Sequence, residues 1–151
     1  MGLKEWALGW TKAFGMDTSG APAEPTQYSL HTVEVPGDFE FLAKGTSFRQ
    51  DAIKKLGLGP REFVLTPERG NPHDDLAVMV QGVVGEETLH VGYLPMGSET
   101  QAAAHELGTA MLSKGAVICI AGEVQHGDSG LIIQLSMPGS DKMAELLTQY
   151  S

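Results

Sequence analysis

Glu68-Arg-Gly-Asn-Pro-His-Asp-Asp-Leu-Ala77, followed after a hydrophobic run by Val91-Gly-Tyr-Leu-Pro95, decides how this chain is read. Asn71 precedes Pro72 and is therefore pushed out of the helical region. Gly70 permits a turn that side-chain-bearing residues resist, and Asp74 can accept hydrogen bonds from amides left open by a tight connection. These residues predict a rigid loop that holds His73 and Asp74 in place. The flanking runs Glu62–Thr66 and Leu76–Val80 read as strands, and rigid loops on a β scaffold are where binding residues tend to lie.

Working outward, short β-like segments dominate from residue 28 onward. Leu30–Val35 and Phe39–Ala43 are separated by the turn signal Pro36-Gly37-Asp38, and Thr88–Leu94 follows a turn near Gly85-Glu86. Gln50–Leu56 fits a short helix. Ser98 is a helix cap with Glu99 in the first turn, so a helix is expected through about Leu112 and closed by Gly115. Strands over about 116–124 and 130–136 come next, and Ser140 is read as the cap of a helix over about 141–149. Many short strands with interspersed helices predict a mainly β fold, a small antiparallel β-barrel with flanking helices over 29–138 and a C-terminal helix over 139–151.

The first 28 residues read differently. Leu3, Trp6, Trp10 and Phe14 fall at helical spacing opposite Lys4, Glu5 and Lys12, which predicts an amphipathic helix over 1–15. A Gly-, Ser-, Thr-, Ala- and Pro-rich stretch over 16–28 reads as a flexible linker. So short a helix is marginal alone. Its apolar stripe is expected to dock on its own domain, on a protein partner or on a second copy of the chain.

Net charge is −9, which opposes phosphate binding through bulk electrostatics. The distribution is uneven. Residues 41–80 hold Lys44, Arg49, Lys54, Lys55, Arg61 and Arg69 against Asp51, Glu62, Glu68, Asp74 and Asp75, a local balance of +1 that leaves −10 for the rest. Hydrophobic residues make up 42% of the chain, enough for a core, and sparse aromatics make that core aliphatic. The single Cys119 excludes internal disulfides, and within Ala116-Val-Ile-Cys-Ile-Ala121 it reads as a small core thiol. No apolar run approaches the roughly 20 residues of a membrane span, and no signal peptide is evident. An intracellular, cytoplasmic protein is expected.

No catalytic arrangement emerges. The five histidines are scattered, Asp74 and Asp75 point to opposite sides of an extended backbone, and Gly57-Leu-Gly-Pro60 lacks the Lys-Ser/Thr of a phosphate loop. The chain is expected to be no enzyme and to need no cofactor or metal. Nucleic-acid binding requires an aromatic platform, a polar group for the sugar and nearby cations. Phe48, Arg49, His73, Asp74 and Tyr93 supply those types. Three of them have a plainer alternative: Phe48 as core, Asp74 as a loop cap, Tyr93 as a half-buried strand residue.

With Lys44-Gly-Thr-Ser-Phe-Arg49, the two motifs follow the order V/K-G-x-x-F/Y, E-x-x-N-P-x-D-x-x-A, V-G-Y-L, and over about Val33–Met137 the chain resembles a HIRAN domain. The resemblance implies a small β-barrel flanked by helices that holds the 3′-hydroxyl end of single-stranded DNA. By position, it implies that Phe48 and His73 stack on terminal bases, Asp74 accepts the hydroxyl proton and Tyr93 faces a phosphate. This chain has His73 where fork-remodelling members carry tyrosine, and Ser47 and Met96 where they carry basic groups. Two functions follow as expectations: a stand-alone recruiter that recognises DNA ends in repair or processing, or a protein-interaction module, homo-oligomeric or partnered through Leu3, Trp6, Trp10 and Phe14.

Overall fold

A computed structural model describes residues 5–6 and 30–151. Eight strands and three helices are assigned among them: β1 Glu5–Trp6, β2 Leu30–Glu34, β3 Phe39–Leu42, α1 Gln50–Leu56, β4 Gly59–Pro67, β5 Val78–Val84, β6 Glu87–Tyr93, α2 Glu99–Leu112, β7 Ala116–Gly127, β8 Gly130–Met137 and α3 Ser140–Tyr150. A 3-10 turn, Thr46–Phe48, precedes α1. The expectation of a mainly β chain with flanking helices holds.

β7 is the strand on which the sheet is built. One edge pairs in parallel with β2 through Ala116–Cys119 and then antiparallel with β8 through Gly122–Gly127, while the other edge pairs antiparallel with β4. β4 continues to β5 and β5 to β6, and β3 adds to the outer edge of β8. The parallel β2–β7 pairing departs from the all-antiparallel expectation. β8 takes the other half of that β7 edge, and β2 runs beside Ala116–Cys119 in the same direction as β7.

The strand ladder does not close into a barrel. The β3 and β6 sides meet at one isolated pair, in which the Lys44 amide donates to the Tyr93 carbonyl at 2.8 Å and the Tyr93 amide returns the bond at 2.9 Å. This approach needs Gly92, because a Cβ there would lie 2.7 Å from the Lys44 carbonyl oxygen.

The main core is aliphatic, as composition predicted. Phe63 is the one aromatic among its fully buried side chains, packed with Ile53, Leu65, Leu107, Met111, Ile118, Ile133, Leu135 and Met137. α1 lays Leu56 over Gly82, where a Cβ would sit 2.4 Å from a Leu56 methyl carbon. Gly82 is therefore part of strand β5 and a packing requirement, whereas the turn beyond it is made by Gly85 with φ 59°. α2 lays Gly108 against Pro67 and Ile118, and α3 buries Met143 and packs along α2.

Two further expectations change. The amphipathic helix over 1–15 and the linker over 16–28 lie outside the described residues except at Glu5–Trp6. There the backbone pairs antiparallel with β2, Trp6 opposite Leu30, as a strand and not a helix. The unpaired edge of β2 offers hydrogen-bond partners that helical periodicity cannot anticipate. At α3, Gly139 takes the N-cap position and Ser140 is already helical, with no side-chain cap. Asp38 instead binds the Gly139 amide at 2.9 Å, and Lys142 bonds Asp38 and the Pro36 carbonyl, both at 3.2 Å. No described helix is long and apolar enough to cross a membrane.

Gly92→Ala is expected to cost about 1–3 kcal/mol, the usual penalty for forcing a methyl into packed space. Urea denaturation reads it as a lowered midpoint with an unchanged slope. A midpoint equal to that of the parent would remove the steric account of the Lys44–Tyr93 bridge.

Candidate nucleic-acid interface

The loop between β4 and β5 is built by two side chains. Asn71 Oδ1 accepts from the amides of His73 at 2.8 Å and Asp74 at 3.1 Å, while Asn71 Nδ2 donates to Glu68 Oε1 at 2.9 Å. Gly70 supplies the left-handed backbone with φ 74°. Asp74 Oδ1 accepts from the Leu76 amide at 3.0 Å, and its Oδ2 accepts from Gln101 Nε2 on α2. The loop has a hydrogen-bonded framework, since both hydrophilic side chains are bonded to backbone or to a neighbouring element.

Gln101 is the loop's fixed counterpart. It is 1% exposed, its Oε1 accepts from the Gly97 amide at 3.0 Å, and its own amide donates to Ser98 Oγ, the predicted cap of α2. Asp74 thus ties the loop to the start of α2. That is the loop-cap role in full, and it points the carboxylate toward Gln101 and His105. Burial lowers the His105 pKa, and the Asp74 charge opposes this.

The aromatic side of the site is assembled separately. Gly45, with φ 77°, starts the 3-10 turn that ends at Phe48. Gln50 then locks that turn to β8: its Nε2 donates to the carbonyls of Thr46 and Leu131, and its Oε1 accepts from the Leu131 amide. Phe48 stands 87% exposed, so the core reading of this residue is wrong. The turn carries it outward while Ile53 and Leu56, later on α1, take the inward positions. Ser47, Phe48, Arg49, Gln50, Asp51, Ala52 and His90 line a cavity of about 400 Å³.

Tyr93 is half-buried beside this cavity. Its hydroxyl donates to Glu68 Oε1 at 2.9 Å, the same oxygen that Asn71 uses. Burial and that hydrogen bond push the phenol up to about 12. His90 meets Tyr93 edge-on, with ring centroids 4.8 Å apart, and its Nε2 lies 3.0 Å from the Gly92 carbonyl. A carbonyl only accepts, so this contact places the proton on Nε2. Burial first, then the Arg49 charge, holds the imidazole below its ordinary value of 6.5.

Of the expected residues, Phe48 and Arg49 share one cavity, and Tyr93 joins them through His90. His73 is exposed at the loop tip, with only its amide in the loop network. Asp74 lies across the Glu68–Asn71 link, facing α2. Leu3, Trp10 and Phe14 lie outside the described residues, as does the Trp6 side chain. Sequence reasoning passed over Glu68, which joins Tyr93 to the loop, and also His90 and Gln101. Glu68 opens the motif itself, and a β6 His two residues before Gly92 had the spacing to be noticed; Gln101 carried no signal beyond its place three residues after the Ser98 cap. Among the basic residues, Arg61 is spent on carbonyls of Leu56, Leu58 and Pro60 at the end of α1. Among the described residues no group of three or more His, Cys, Asp and Glu side chains is placed to hold a metal. No family model, curated protein or solved structure matches the chain.

Asp74→Ala and Gln101→Ala should each cost about 1–3 kcal/mol, the usual penalty for leaving a buried polar partner unpaired. The double variant should fall short of their sum, with a coupling of roughly 0.5–3 kcal/mol from a double-mutant cycle in urea. Strict additivity would mean the two side chains do not act as a pair.

His90 also predicts a pH dependence. Its folded pKa lies below 6.5, so on acidification the unfolded chain takes up a proton that the folded chain withholds. Stability is flat above about pH 6.5 for this group and falls as pH drops below it. His90→Gln should reduce the acid slope of unfolding free energy against pH, leaving what His105 contributes in the same direction. An unchanged acid slope in the variant would show that His90 is not responsible.

Proposed function

We propose that this protein is a non-catalytic, HIRAN-like module that binds the 3′-hydroxyl end of single-stranded DNA and recruits other factors to it. The observation that carries this reading is Phe48: a phenyl ring 87% exposed on a turn locked by Gln50, beside Arg49 at the mouth of a cavity. An exposed ring in water gains by stacking a base, which contributes about 1–3 kcal/mol. Arg49 supplies a cation for the following phosphate, and Lys44 and Arg69 are exposed in the same stretch of chain.

Asp74 retains a part in this reading. Its two observed bonds use two of the roughly four lone-pair positions of a carboxylate, which leaves acceptor capacity for a sugar hydroxyl and repulsion for a phosphate. The Lys44–Tyr93 pair supports reading the sheet as a small barrel fastened at one point. An intracellular, cytoplasmic setting and a role in DNA repair or processing belong to the same proposal.

A second reading, a protein-interaction module of the same fold, is favoured by the net charge of −9. In that case Phe48 and the exposed Met96 serve a protein surface, and residues 3–14 contribute to partner binding or self-association.

Fluorescence anisotropy with short oligonucleotides at low salt separates the two. Binding of a 3′-hydroxyl strand should exceed that of the 3′-phosphate form, and Phe48→Ala should weaken it roughly 5- to 150-fold, the equivalent of about 1–3 kcal/mol. Asp74→Asn should narrow the difference between the two ends. No binding at protein concentrations near about 100 μM, a limit of about −5.5 kcal/mol, would overturn the DNA reading in favour of the protein-interaction one.

A further inference from the structure

The cavity beside Phe48 is built from the stretch Ser47–Ala52 and from His90 on β6, and at about 400 Å³ it lies at the lower end of the range for small-molecule sites. Its polar groups are not equally available. Gln50 donates from Nε2 to the carbonyls of Thr46 and Leu131, and its oxygen takes the Leu131 amide. His90 has its Nε2 on the Gly92 carbonyl at 3.0 Å. Arg49 can only donate, and its charge is felt by both His90 and Tyr93.

The groups left for a ligand include two acceptors. With its proton on Nε2, a neutral imidazole keeps Nδ1 as a lone pair that can only accept. Burial first, then the Arg49 charge, favours that neutral form. Asp51, exposed in the first turn of α1, adds a carboxylate, which also only accepts. The formal charges of Arg49 and Asp51 cancel. The space therefore suits an uncharged group rich in N–H donors better than it suits a phosphate.

We propose that Asp51 and His90 select the base at the 3′ end of the strand, favouring one that carries an exocyclic amino group. This selection rests on the DNA-end reading: the hydroxyl end brings the strand to the site, and its last base is then discriminated. A base stacked on Phe48 turns its edge toward the cavity lining. Cytosine presents there the N4 amino group, a donor, where thymine presents the O4 carbonyl, an acceptor. The amino group has two hydrogens, one for the carboxylate and one for the imidazole lone pair. Uracil and thymine have a single N3–H flanked by two carbonyls, so lone pairs meet lone pairs. Arg49 stays with the following phosphate, and the two tasks do not compete for one group.

Anisotropy of the full chain with oligonucleotides that differ only in a 3′-terminal deoxycytidine or deoxyuridine tests this, because the exchange swaps the amino group for a carbonyl without adding a methyl. The deoxycytidine end should bind about 10-fold more tightly, the effect of one hydrogen bond to a charged group. The same exchange several nucleotides from the end should leave affinity unchanged. Asp51→Asn supplies a carboxamide that donates as well as accepts. It should hold the deoxyuridine end more tightly than the parent does and narrow the preference, with the circular dichroism of the parent. Equal binding of the two ends by the parent, a preference that follows the internal exchange, or one that Asp51→Asn leaves intact would overturn the selection while end recognition stands. Absence of binding to either end would remove end recognition itself, and the selection with it.

Discussion

The close passage of the Lys44 backbone over Gly92 is the constraint from which the site follows. Two hydrogen bonds at 2.8 and 2.9 Å are affordable there because no side chain stands between the strands. That contact fixes where the segment after β3 ends, and with it the position of the Thr46–Phe48 turn relative to β6. Phe48, Arg49, His90 and Tyr93 come from two distant stretches of sequence, and they meet because the backbone at residue 92 yields space.

Hydrogen bonds then divide the surrounding residues between scaffold and surface. Glu68 Oε1 receives both Tyr93 and Asn71, so the loop and the sheet share one acceptor. Asp74 is held by Leu76 and Gln101, and Arg61 by three carbonyls. Phe48 is the opposite case. Its backbone is held by the locked turn, while its ring is left in water, an arrangement that core packing does not require. Polar residues that looked like ligands prove partly structural, and the ring that could have been core is the most exposed large hydrophobic side chain among those described.

Element positions were largely legible because local chemistry set them. Pro36-Gly37-Asp38, Gly85, Ser98 and Gly115 punctuate the chain where strands and helices do change, and the α2 cap at Ser98 forms as its Ser-x-x-Gln spacing allows. What was not legible depends on partners distant in sequence. The parallel β2–β7 pairing joins two strands far apart in sequence. The strand at Glu5–Trp6 depends on the free edge of β2, which overrides a helical repeat. The Asp74–Gln101 bond joins residues on separate elements, and no spacing rule links them. The outward direction of Phe48 follows from a left-handed Gly45 and the grip of Gln50 on Leu131, neither of which periodicity contains.

That grip has a mechanical meaning. The Gln50 carboxamide bonds to both backbone groups of Leu131, as the neighbouring strand of a ladder would. It is a one-residue splice that joins the root of the aromatic turn to the start of β8, just past the β7–β8 hairpin. Strain applied at one end is therefore delivered to the other with little slack. Any molecule that tilts the Phe48 turn must also pull on the Leu131 peptide, making that peptide a strain gauge for events on a surface it does not itself form.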